Sequence, residues 1–96
     1  MSASETDFAF PSILMPWETF SDQAAREARE RESGERWTEG FLREVEGKVR
    51  GYEHDLDAGW CERMRAVSML NAVYRNVPYH MRGELFGARA LEVMGR

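Results

Sequence analysis

Seven large apolar side chains recur along one stretch of the chain, at Trp37, Phe41, Val45, Val49, Tyr52, Leu56 and Trp60. Their spacings of four, four, four, three, four and four trace one face of an α-helix, and no alternating run of strand length occurs elsewhere. The expected fold class is therefore all-α. Gly34, Gly40, Gly47 and Gly51 fall in or beside this stripe, and each weakens a helix by up to about 1 kcal/mol relative to alanine. Such a helix has to be held by packing against its own chain or another one.

Upstream lies SDQAAREARERESGERW, in which nearly every residue is a good helix former and Ser21 or Asp22 can act as N-cap. Arg26 with Glu30, Glu27 with Arg31 and Glu32 with Arg36 are spaced as i,i+4 ion pairs. Between Gln23 and Arg36 no apolar side chain exceeds alanine. The expectation is a solvated charged helix, or one that rests on a neighbour through Ala24, Ala25 and Ala28. Charged run and stripe together predict helix over about 21–54, with Gly34 as the place for a break.

Downstream, Asp55 or Asp57 can cap a second helix over about 57–76, with Met64, Val67, Leu70, Tyr74 and Val77 along one flank. Pro78 disfavours helix at Val77, so this element should end near Asn76. A last helix over about 78–94 would then carry Leu85, Phe86, Ala88, Leu91 and Met94 before Gly95 stops it. Gly83 and Gly87, four residues apart, give this last helix a smooth face or simply a weak one.

The segment FAFPSILMPWETF, Phe8 to Phe20, holds seven large apolar side chains together with Pro11 and Pro16. Two prolines forbid one uninterrupted helix and favour an extended arm. Each large apolar side chain gains about 1.5–3 kcal/mol on full burial, so the arm has to be covered by its own helices, a sister subunit or another protein. A three-helix chain offers little area to hide both arm and stripe, so three to four helices with an extended N-terminal arm, assembled as a homodimer, is the expected architecture. Candidate partner-binding residues are Phe8, Phe10, Leu14, Trp17, Phe20, Trp37, Phe41, Val45 and Tyr52, aromatic and aliphatic anchors flanked by Arg and Glu.

Ninety-six residues suit a single helical domain, 1–96. Apolar content of 43% and charge of 31% place the chain among globular proteins. The net charge is −4, unevenly spread: residues 1–57 hold fourteen acids and seven bases, residues 58–96 three acids and six bases. An acidic body argues against coating nucleic acid, because it repels phosphates. A lone Cys61 forms no internal disulfide, no apolar run approaches the roughly 20 residues of a membrane span, and the N-terminus lacks a signal peptide's basic region. A cytoplasmic location, with no membrane partner, is the expectation.

Chemistry-bearing constellations are thin. His54, Asp57 and Cys61 lie at i, i+3 and i+7, a spacing open to a metal, yet a helix boundary is expected between 55 and 59 and a capping aspartate accounts for the same residues. Cys61 has no histidine at a useful helical offset on its C-terminal side, Ser68 falls inside a helix, and Asp55 and Asp57 sit in a wet, charged stretch. No catalytic residue, metal or cofactor is expected, and the chain is read as a non-enzyme. A DNA-binding alternative rests on Arg63, Arg65, Arg75, Arg82 and Arg89, carried by two short helices around a turn at 76–79 in helix-turn-helix outline. The exposed residues of its last helix would be Arg82, Glu84, Arg89 and Glu92, only half basic.

Small size, acidic balance and twelve arginines against one lysine resemble the small regulatory proteins of GC-rich proteobacteria. Through FAFPSILMPWETF and GWCERMRAVSMLNAVYRNVPYHMRG, the chain resembles the quorum-sensing anti-activators. That resemblance implies a helical dimer that binds the ligand-binding domain of a LuxR-type transcription factor, occupies its dimerisation surface and so blocks DNA binding.

Overall fold

The computed structural model of the chain describes residues 14–96. Among them, five α-helices and one 3₁₀ turn occur and no strand, so the fold is all-α: α1 Phe20–Ser33, α2 Glu39–Asp55, α3 Trp60–Asn76, the 3₁₀ turn Tyr79–Met81, α4 Arg82–Leu85 and α5 Ala88–Val93. Contacts divide the chain into two compact units, the first ending at Leu42 and the second running Arg43–Arg96, with the division inside α2. No helix of the described residues is long and apolar enough to cross a membrane.

In the first unit, Pro16 does not extend the chain as expected. It sits inside a turn closed by the Glu18 amide donating to the Met15 carbonyl at 2.9 Å, while the Met15 amide donates to Glu18 Oε1 at 2.9 Å. Proline suits the second position of such a turn because its φ is already set. Next, Thr19 rather than Ser21 or Asp22 caps α1: Thr19 Oγ1 accepts from the Asp22 amide at 3.1 Å and the Asp22 carboxylate accepts from the Thr19 amide at 3.0 Å. This reciprocal capping box satisfies two otherwise orphaned donors, and the same bonds from Thr19 hold the Asp22 carboxyl below its ordinary range.

The helix expected over about 21–54 is two helices. Gly34 adopts φ +79°, the left-handed region that glycine enters without a Cβ penalty, and its amide donates to the Glu30 carbonyl at 2.7 Å. Glu32 and Arg36 straddle this end and share no helix. The chain re-enters helix at Thr38, whose Oγ1 accepts from the Phe41 amide at 3.2 Å. Along α2, Phe41, Val45 and Val49 are buried and Tyr52 half-buried, as helical spacing requires, with Leu56 buried just past the last turn. The stripe stops there: Trp37 precedes α2, and Trp60 opens α3 at 74% exposure, because residues 56–59 break the helical register.

In the second unit, α3 is capped by Gly59 without a side-chain bond, not by Asp55 or Asp57. It ends at Asn76, and Val77 is extended at φ −87°, ψ 150° before Pro78, as the proline dictates. Its buried residues are Ala66, Leu70 and Val73, with Val77 buried just past its end; of the expected flank Leu70 and Val77 are buried, Val67 and Tyr74 half-buried, and Met64 is 50% exposed. The last element is not one helix. Phe86 turns extended, φ −111° and ψ 132°, separating α4 from α5. Two residues of α2 serve this corner: Arg50 donates to the Leu85 carbonyl at 3.0 Å, Glu53 Oε2 accepts from the Gly87 amide at 2.8 Å, and the two pair at 2.6 Å. A Cβ on Gly87 would lie 2.9 Å from that carboxylate oxygen. The corner therefore replaces lost helical hydrogen bonds with side-chain partners.

Candidate functional site

Within the first unit, the side chains buried on α1 are not the alanines. Ala24, Ala25 and Ala28 are exposed, whereas Arg26 and Glu30 are 6% and 3% exposed, a correction to the expected alanine edge. Arg26 donates from Nε to Glu18 Oε2 at 2.8 Å and from Nη2 to Glu18 Oε1 at 2.8 Å, a two-pronged grip, and from Nη1 to Glu30 Oε1 at 2.9 Å. Its guanidinium carbon lies 4.7 Å from the Phe41 ring centre. Bonds from Glu18 raise the Arg26 pKa and outweigh its burial, which lowers it; bonds from Glu30 add to the rise. Burial works to raise the Glu18 carboxyl, but the bonds from Arg26 and the Met15 amide win and hold it below its ordinary range. The network carries two carboxylates against one guanidinium, and Glu30 Oε2 is buried with no hydrogen bond among the described residues.

The second unit displays apolar side chains instead. Trp60 and Met64 lie one turn apart on α3, Met64 being 50% exposed, and Tyr79 in the 3₁₀ turn is 82% exposed. Near the other end of α3, Tyr74 packs against the buried Phe86 with ring centres 5.4 Å apart at 60°. Two arginines lie over Tyr74, Arg82 at 4.4 Å and Arg96 at 4.6 Å from its ring centre, and Arg82 is also 5.6 Å from the Tyr79 ring.

Of the residues expected to bind a partner, Phe8 and Phe10 fall outside the described residues. Leu14 and Trp17 are half-buried, and Phe20, at the start of α1, is 79% exposed. Trp37 and Phe41 come together, ring centres 5.5 Å apart at 34°. Phe41 and Val45 are buried, 8% and 0% exposed. Tyr52 is half-buried, and burial pushes its phenol above the ordinary range. Sequence reasoning missed Trp60 and Tyr79 as exposed aromatics. The only usable signal was that Trp60 lies beyond the Asp55–Gly59 boundary, where stripe periodicity no longer applies.

Among the described residues, no group of three or more His, Cys, Asp or Glu side chains is placed to hold a metal ion; Asp57 pairs with Arg89, and Cys61 is exposed. Comparison with known protein families, curated proteins and solved structures returns no match.

Proposed function

We propose that this chain is a non-enzymatic interaction protein that binds another protein through exposed aromatic and apolar side chains and inhibits it by covering the surface it binds. The observation that carries the reading is the pair Trp60 and Met64, adjacent on α3 and 74% and 50% exposed. A large apolar side chain gains about 1.5–3 kcal/mol when fully covered. Tryptophan and tyrosine are also the residues most often found to dominate protein–protein affinity. Self-association as a homodimer through the same chemistry belongs to this reading. An anti-activator that masks the dimerisation surface of a LuxR-type transcription factor is its narrowest form.

The helix-turn-helix alternative is less well supported. Helices α4 and α5 span four and six residues, short for a recognition helix lying in a major groove. Arg89 is already paired with Asp57.

The test is a capture experiment with the tagged full chain in lysate of its native cells, run beside a Trp60→Ser/Met64→Ser variant whose helicity is checked by circular dichroism. The reading expects a protein retained by the native chain, retention reduced roughly tenfold or more by the double substitution, and the captured protein's own activity lowered by added chain. Capture indifferent to both substitutions, or a captured protein whose activity is unchanged, would overturn it.

A further inference from the structure

We propose that Arg82 and Arg96, both laid over Tyr74, form a receptor for a carboxylate on an acidic segment of the partner protein. This deepens the function proposed above and rests on it. Arg82 opens α4, its amide donating to the Tyr79 carbonyl. Arg96 is fixed by the turn that ends α5: Gly95 takes φ +79°, its amide donates to the Glu92 carbonyl at 3.0 Å and the Arg96 amide to the Leu91 carbonyl at 2.8 Å. These two bonds form a Schellman motif, which folds the chain back on the helix end. Each guanidinium carbon lies at cation–π distance from the Tyr74 ring centre, and the ring packs against the buried Phe86.

Two like charges share this ring, yet neither arginine has a carboxylate at ion-pair distance among the described residues. Arg82 Nε is buried and donates no hydrogen bond, while Arg96 reaches only Asn71 Oδ1, at 3.5 Å. Arg26, Arg31, Arg50 and Arg89, by contrast, each meet an acid. An anion bound by both groups would relieve their repulsion and accept from guanidinium groups that meet no carboxylate among the described residues. A protein carboxylate fits better than a nucleic acid, because the chain carries −4 overall and repels a polyanion. The exposed Tyr79 ring beside Arg82 adds a surface for an apolar side chain next to that carboxylate.

The experiment titrates the isotope-labelled full chain with the blocked peptide acetyl-Gly-Glu-Phe-Glu-Gly-amide and follows the arginine Nε–Hε resonances. The Arg82 and Arg96 signals should shift and saturate together. The glutamine counterpart of the peptide, and the R82Q and R96Q variants, should each bind roughly tenfold more weakly or worse. Because Arg82 contributes packing, R82K serves as a second variant: it keeps the charge, loses the planar fork and should also weaken binding. Equal binding of the glutamine peptide, tighter binding of inorganic phosphate or a short oligonucleotide, or no response at Arg82 and Arg96 would overturn the proposal. So would a native dimer that R82Q/R96Q converts to monomer, since a second copy would then fill the site. If lysate capture is lost with Trp60→Ser/Met64→Ser but survives R82Q/R96Q, the carboxylate site fails while the interaction function stands.

Discussion

The two units of this chain bury different things. In the first, the buried described side chains are Met15 and Phe41 together with the charged Arg26 and Glu30; in the second they are Val45, Val49, Leu56, Ala66, Leu70, Val73, Val77, Leu85, Phe86 and Ala90, all apolar. The contrast follows from sequence supply. From Gln23 to Arg36 there is no apolar side chain beyond alanine, and α1 is tied to the Met15–Glu18 turn by the Arg26–Glu18 ion pair, with Glu30 of the same helix as Arg26's second partner. Burial of apolar area tolerates repacking, whereas a two-pronged ion pair fixes one geometry. A buried ionic network adds little net stability, because desolvation offsets much of the attraction between its charges.

The largest expected effect tests that contrast directly. Arg26→Ala leaves Glu18 and Glu30 buried without their cation and should cost about 3–5 kcal/mol, read as lost amide protection across α1. Replacing Glu18, Arg26 and Glu30 together by leucine or methionine should recover much of that loss; no recovery would mean that the network contributes more than geometry. Acidification sharpens the same comparison. The folded pKa of Glu18 lies below its unfolded value, so its contribution is present above the ordinary carboxylate range and is lost as pH falls through the folded value. Amide protection in α1 should therefore fail before protection at Leu70 in α3.

Leu70→Ala is the matching test in the second unit. Leu70 is wholly buried, and truncation should cost about 2–5 kcal/mol in denaturant unfolding, with no comparable pH dependence. Gly34→Ala puts a Cβ into the left-handed region and should cost about 1–2 kcal/mol, a loss that a backbone able to re-form without positive φ would erase. The smallest effect has the opposite sign. A Cβ at Gly47 or Gly51 would meet nothing within 4 Å, so each alanine should stabilise α2 by about 0.5–1 kcal/mol in thermal unfolding. A loss there would show that the face is occupied.

Helix content and the α2 stripe were legible because the spacing of Phe41, Val45 and Val49 is a local property, as is the stop imposed by Pro78. The role of Arg26 was not. An i,i+4 Arg–Glu pair reads as surface, and only folding back of the Met15–Glu18 turn brings a third charge eight residues away to the same guanidinium. The α4–α5 corner was hidden for a similar reason, since Arg50 and Glu53 act on it across 35 and 34 positions. The gathering of Arg82 and Arg96 over Tyr74 likewise depends on a helix end turning back, which no window of sequence displays.

The corner between α4 and α5 also sets a rule for substitution. Arg50 faces a carbonyl oxygen and Glu53 faces an amide hydrogen, so the polarity of the backbone decides which side chain stands where. Exchanging the two residues would preserve their mutual attraction but confront oxygen with oxygen and donor with donor. An ion pair that looks interchangeable on paper is here directional, and a charge swap is a double mismatch rather than a neutral move.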